Sequence, residues 1–370
     1  MGETVSKQYK VRISSIGSAD PKCIQSIATG LSLPVNLVAN AVYRAPSILV
    51  DRIDRSTAGK LSDLLNELGF VTEVLEQEQE TPTDPARLDV SLYVRDISQY
   101  ELIVQRLAGF LSCSAEQAHG LISTPPGVVI GGVTEPTFRA LQDHLGDGAE
   151  LLASNPAIAR YDLFLTSTDQ AVCGRILQDL NATGVTTIGD NGCIARDLDQ
   201  SLASEVWRRH ARSGSLRIVN QDFMRCDIVL VSRPSGRPSE AQQHYLTKEL
   251  GMPPGHLEEI LEACPITLYE AESYEVMLNL LERLADLNFE VRADLVTFSQ
   301  FGIEISSGPN PQAISDALNS LGVGGAQPDT LPYQLPFSFS ELQARLLSSK
   351  LSELGINSTY FDPAEMRAAS

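Results

Sequence analysis

The stretch APSILVDRIDRSTAGKLSDLLNELGFVTEVL, residues 45–75, decides how the rest of the chain is read. It has the form strand, helix, strand. Counting from Pro46, offsets of 3, 12, 15, 19 and 23 fall on Leu49, Ala58, Leu61, Leu65 and Gly69. The three middle positions lie three and four residues apart, so they form one apolar stripe on a helix. The last is a residue that accepts the left-handed conformation with which helices end.

The same frame fits four more times without a gap. From Pro126 it gives Val129, Phe138, Leu141, Leu145 and Ala149, and from Pro265 it gives Leu268, Met277, Leu280, Leu284 and Asn288. From Pro332 the residues are Leu335, Ala344, Leu347, Leu351 and Gly355. A weaker copy starts at Asn191, with Ile194, Ala203, Val206, His210 and Gly214. The final position is Gly or Asn in every copy except the second, where Ala149 follows Gly148. Short apolar stretches then close each copy as strands: VTEVL, AELL, LRIV, FEVRA and NSTYF.

A further strand precedes each zero point: YKVRISS, LDVSLYV, YDLFLTS, CDIVLVS and FGIEISS. Helical patterns such as YELIVQRLAGFL follow them. In copies one, two and four a second short helix is announced by LSLP, LSCS and LGMP. Copies three and five carry the loop-forming segments VTTIGDNG and VGGAQPDTLPYQ instead. The expected fold class is therefore α+β: five tandem β-α-α-β-α-β units with small antiparallel three-stranded sheets covered by helices, the second helix lost in units three and five. The expected layout is repeat 1 at 1–76, a linker at 77–87, repeat 2 at 88–154, repeat 3 at 159–221, repeat 4 at 224–297, repeat 5 at 299–362 and a tail at 363–370. Units this small bury little core alone, and neighbours in an array support one another. The polar linker QEQETPTDPAR suggests that repeat 1 is the more mobile one.

The framework resembles the C-terminal domain of the bacterial large-subunit ribosomal stalk protein, a fold shared with the Clp protease N-degron adaptor. TGLSL (Thr29 to Leu33), Pro46, Leu49, Ala58, Leu61, Leu65, Gly69 and Val74 carry the likeness. It covers repeat 1 well, repeat 4 moderately, and the others through the internal repeat. The resemblance implies a fold that binds other proteins and does no chemistry. The lysine-rich helical face with which the stalk family docks translation GTPases is represented here by Lys22, and PVNLVANAVYR has no lysine. The adaptor's signature before its first helix is absent, so neither partner class carries over.

Composition bounds the function. With 43% hydrophobic and 20% charged residues the chain of 370 residues is globular. No apolar run is long enough to span a bilayer, so no stable membrane insertion is expected. A net charge of −19 argues against wrapping nucleic acid or lying on an anionic membrane. The N-terminus lacks a secretory h-region but fits the short M-G-x-x-x-S acylation pattern. Six cysteines stand singly, without a C-x-x-C pair, which points to reduced thiols and a cytoplasmic location. Cys226 and Cys264 read as small buried hydrophobes.

Catalysis needs a nucleophile with its base, paired carboxylates or a metal set. His119, His144, His210, His244 and His256 never fall in an H-x-x-x-H frame. Neither a Walker loop nor G-x-G-x-x-G occurs. The glycine pair of GVVIGGVTEP precedes an ordinary N-cap at Thr134, and IGDNGC reads as a turn. No catalytic residue, metal or cofactor is expected, and the chain reads as a non-enzyme. One surface stands out: SEVWRRHARSGSLR, 204–217, with the only tryptophan, Trp207, beside Arg208, Arg209 and Arg212. Trp and Arg are the types most enriched at binding hot spots. The competing reading packs Trp207 on the next repeat and pairs the arginines with Glu258, Glu259 and Glu262, in one molecule or between two. The expected function is a cytoplasmic scaffold or adaptor that binds protein partners, with self-association left open. The alternative is a regulator that binds a small molecule between repeats.

Overall fold

The structure is a computed structural model that describes residues 7–79, 86–166, 169–188, 192–234, 236–324 and 330–363. The acylation pattern, the middle of the linker, the centre of IGDNGC, part of the repeat 5 loop and nearly all of the tail lie outside them.

Five tandem α+β units follow one another. Repeat 1 has β1 (Tyr9–Ser15), α1 (Cys23–Leu31), α2 (Val35–Tyr43), β2 (Ser47–Ile53), α3 (Arg55–Glu67) and β3 (Val71–Glu76). Repeat 2 has β4 (Leu88–Val94), α4 (Tyr100–Leu111), α5 (Ala115–Ser123), β5 (Val128–Val133), α6 (Glu135–Leu145) and β6 (Ala149–Ser154). Repeat 3 lacks the second helix and has β7 (Tyr161–Leu165), α7 (Gln170–Ala182), β8 (Cys193–Leu198), α8 (Gln200–His210) and β9 (Leu216–Asn220). Repeat 4 restores it, with β10 (Arg225–Leu230), α9 (Glu240–His244), α10 (Leu257–Glu262), β11 (Ile266–Ser273), α11 (Tyr274–Asp286) and β12 (Val291–Leu295). Repeat 5 has β13 (Gln300–Ser307), α12 (Pro311–Ser320), β14 (Tyr333–Gln334), β15 (Phe339–Ser340), α13 (Glu341–Glu353) and β16 (Asn357–Phe361).

In every unit the first strand is central and antiparallel to its neighbours, in the orders β2-β1-β3, β5-β4-β6, β8-β7-β9 and β11-β10-β12. In the fifth, β13 pairs with β14, β15 and β16. The helices cover one face. Their apolar stripe, including Ala58, Leu65, Leu141, Leu145, Val206, Leu284, Ala344 and Leu351, is buried against the central strand. Each such large side chain contributes about 1.5–3 kcal/mol by leaving water. Phe138, Leu268, Leu280 and His210 in the same frame are only half-buried. Pro46, Pro126, Pro265 and Pro332 each follow a cis peptide bond. Cys226 is buried, as its apolar run implies, whereas Cys264, at the end of α10, is half-buried.

Two positions of the frame carry the local geometry. Eight residues after each zero point stands a helix N-cap: Asp54, Thr134, Asp199, Ser273 and Ser340. Asp54 accepts from the Thr57 N–H at 3.0 Å and Asp199 from the Leu202 N–H at 2.9 Å, each satisfying one orphan donor. Six residues after the zero point the edge strand bulges through a left-handed residue: Arg52 (φ 56°), Gly132 (67°), Asp197 (64°) and Ala271 (48°). The bulge turns that N–H out of the ladder, and in three repeats an aspartate of the central strand accepts it. Asp89 Oδ1 lies 2.9 Å from Gly132 N, Asp162 Oδ1 3.0 Å from Asp197 N, and Asp227 Oδ1 2.7 Å from Ala271 N. Gln77 Oε1 does the same for Arg52 in repeat 1, at 3.2 Å.

The chain divides after Ile158 into two compact units, the first holding repeats 1 and 2 and the second repeats 3 to 5. Instead of standing apart on its linker, repeat 1 is docked on repeat 2 through the end of α2. The last carbonyls of a helix have no partner within it. Here Thr137 Oγ1 donates to Tyr43 O at 2.8 Å, Arg87 Nη1 donates to Arg44 O at 3.1 Å, and Thr134 Oγ1 donates to Ala45 O. Thr134 therefore sits at the N-cap position of α6 without capping it, because its hydroxyl serves repeat 1. The Tyr43 hydroxyl donates to Phe110 O at 2.5 Å, and the two rings lie 5.8 Å apart. In the second unit, Phe298 packs 5.2 Å from Phe164 on the helix-free face of the repeat 3 sheet, with Arg217 over its ring at 5.1 Å.

Candidate binding sites

The end of α8 presents the tryptophan–arginine surface. The stripe of Ala203 and Val206 goes to the core, which turns Trp207, Arg208 and Arg209 outward. Trp207 is 50% exposed. Arg209 pairs within its own repeat, with Glu205 at 2.5 Å and Asp179 at 3.4 Å. His210 Nε2 lies 2.9 Å from Asp179 Oδ2, and this hydrogen bond, helped by Arg209, holds the Asp179 carboxyl below the usual carboxylate range. Arg208 and Arg212 are exposed and have no acidic partner among the described residues. The three glutamates of α10 lie elsewhere in the charge pattern. Glu259 pairs with His256 at 3.0 Å and Glu262 with Arg233 at 3.9 Å.

The helix end is turned back locally. Ala211 N donates to Trp207 O, and a tight turn over Ala211–Ser213 ends at Gly214 in the left-handed region (φ 63°). Beside it, one indole and two guanidinium groups are exposed.

A second surface lies on repeat 1, where Leu64 and Leu68 of the α3 region join Val71 and Val74 of the edge strand β3, all exposed. A third is a cleft of about 1240 Å³ inside the first unit. The β1–α1 turn supplies Ile16 and Asp20, α4 supplies Arg106 and Phe110, and α6 supplies Arg139 and His144. Arg106 Nη1 caps α6 by donating to Leu145 O at 2.6 Å, and Arg139 Nε pairs with Glu135 at 2.9 Å. The wall is thus mixed in charge with an apolar floor.

Of the residues singled out in sequence, Trp207, Arg208, Arg209 and Arg212 share one helix end, with Arg209 already neutralised. The glycine pair of repeat 2 belongs to a bulge, since the Gly132 N–H is taken by Asp89. The aspartates of the central strands were not singled out, although an Asp within an apolar strand (LDV, YDL, CDI) is the signal that finds them. Asp162 is buried and also accepts from Gln221 Nε2 at 2.7 Å. Burial pushes the Asp227 carboxyl up to about 6. Tyr43 is raised to about 12, again by burial.

Among the described residues no group of three or more His, Cys, Asp or Glu is placed to hold a metal ion, and no helix is long and apolar enough to cross a membrane. In comparisons with protein-family models, curated proteins and solved structures, none matches this chain.

Proposed function

We propose that this chain is a non-enzymatic scaffold or adaptor, acting in the cytoplasm, that holds protein partners on several of its repeats. The observation that carries the reading concerns the last helix of repeats 1, 3, 4 and 5. Its outward side bears large exposed apolar residues that differ from copy to copy: Leu64 in repeat 1, Trp207 in repeat 3, Val276 and Leu278 in repeat 4, and Leu354 just beyond α13 in repeat 5. Equivalent helices with different exposed groups supply different docking faces, and several faces in one chain supply avidity. The resemblance of repeat 1 to the ribosomal stalk and Clp adaptor fold favours the same reading, by analogy only. The test is capture of the tagged full chain from its native cells, with cross-linking and mass spectrometry. Stoichiometric partners linked to these helices are expected, and recovery of the chain alone across a range of salt overturns the scaffold.

A second reading, a regulator that binds a small molecule between repeats, is favoured by the cleft beside Phe110 and His144. Its volume lies above the usual range of ligand pockets, so a small molecule has room there. A screen of small metabolites by thermal shift tests it: a hit must lose its effect in Phe110→Ala while the unliganded variant still melts cooperatively.

A further inference from the structure

The tryptophan surface allows its partner's chemistry to be stated, and this step rests on the scaffold reading. The geometry points to the end of α8 as a docking site for an acidic, partly apolar segment of another protein, with carboxylates on Arg208 and Arg212 and an apolar side chain against Trp207.

Three observations carry the choice. First, the open groups are cationic on a chain whose net charge is −19, so the surface differs in sign from its surroundings. Arg208 lies in the last turn of α8 and Arg212 in the tight turn that follows it, so both sit at the same helix end. Each guanidinium can grip a carboxylate with two parallel hydrogen bonds. Second, the neighbouring Arg209 is neutralised by Glu205 and Asp179, which fixes it beside the open pair rather than leaving it to compete for a ligand. Third, the half-exposed indole supplies a flat apolar face of the kind that anchors interfaces.

Other occupants fit less well. The chain's own acidic helix α10 is within the same compact unit, yet its glutamates do not reach these arginines. A second copy brings another −19 charge towards the first. Nucleic acid needs a long run of phosphate contacts, and two open arginines do not offer one. A short segment with a few carboxylates meets far less of the general repulsion.

Because Trp207 is the only tryptophan, its fluorescence reports this surface in the intact chain. The probes are a short end-blocked peptide of Glu and Leu, its Gln-for-Glu counterpart, a single-stranded oligonucleotide, and the protein alone across a dilution series. The expected result is a blue shift of the emission and protection from acrylamide with the Glu peptide, weakening as salt is added. Arg208→Glu with Arg212→Glu should weaken that binding about tenfold or more at an unchanged melting temperature. If the double reversal fails to fold, Arg208→Gln with Arg212→Gln takes its place. No shift at millimolar peptide, an equal response to the Gln peptide, the same response to the oligonucleotide, or a shift that depends on protein concentration alone each overturns the inference. The two readings fail separately. If the captured full chain cross-links partners through other repeats while the peptide does not bind, this site falls and the scaffold stands. If the peptide binds but nothing is captured, the scaffold falls.

Discussion

The end of α2 and the end of α8 contain the same ingredients, an aromatic residue followed by arginine at a helix C-terminus, yet one is closed and the other open. At α2, the carbonyls of Tyr43, Arg44 and Ala45 lack local partners, and Thr137, Arg87 and Thr134 of repeat 2 supply the donors. At α8, the chain turns back on itself, with Ala211 N donating to Trp207 O and Gly214 N to Ala211 O. The first contact is dictated by backbone groups that must be paired when buried. The second leaves exposed side chains that water solvates. A helix end closed by its neighbour thus becomes architecture, and one closed by its own turn stays at the surface.

Substitutions can break or sharpen this contrast. Tyr43→Ala should have the largest effect, a loss of about 3 kcal/mol in denaturant unfolding of the full chain, because it removes a packed ring and a hydrogen bond together. A half-buried carboxylate that serves the backbone should side with α2, and Asp227 provides the check in the second unit. Its folded pKa of about 6 lies above the ordinary 3.8. The native state therefore binds its proton more tightly, and this contribution to stability is full below that ordinary value and is lost as pH rises through about 6. Asp227→Asn, which can still accept from Ala271, should be more stable than the parent at pH 7.5 by on the order of 2 kcal/mol, with the gain vanishing towards pH 4. Urea titrations at the two pH values measure it. Thr137→Val should cost about 1–2 kcal/mol by leaving the Tyr43 carbonyl without its donor. Smallest of all, Trp207→Ala should change stability by less than about 0.5 kcal/mol. If it costs as much as Tyr43→Ala, the contrast fails and the end of α8 is architecture too.

The helical stripe and the glycine or asparagine at its end were legible because both follow from periodicity and backbone conformation within one segment. The N-caps eight residues after each zero point were equally available in the letters, as Asp54, Asp199 and Ser340 show. Thr134 reads as an ordinary N-cap and does hold that position, but its hydroxyl answers to Ala45, far away in sequence, and that could not be read. The cleft was invisible for the same reason: it joins the β1–α1 turn to α4 and α6, and no spacing rule links them. The position of Trp207 outside the stripe could be read from the frame around Val206. That Arg209 would be neutralised by Asp179 could not be, since the partner sits on α7.

The residue just before the buried Val11, Val90, Leu163, Ile228 or Ile303 of each central strand is Lys10, Asp89, Asp162, Asp227 or Gly302, pointing away from the helices. Lys10 Nζ donates to Gln79 O at 2.7 Å, the aspartates hold bulges, and a Cβ at Gly302 would lie 2.6 Å from Phe361 Cζ. A chain of near-identical modules is exposed to a particular hazard while it folds, the exchange of equivalent strands between neighbours. Between repeats 4 and 5 such an exchange meets a mismatched key. A carboxylate delivered to repeat 5 collides with a ring, and the glycine delivered to repeat 4 leaves the Ala271 N–H unanswered. The five modules share one framework, but this position sets repeats 1 and 5 apart from the three between them.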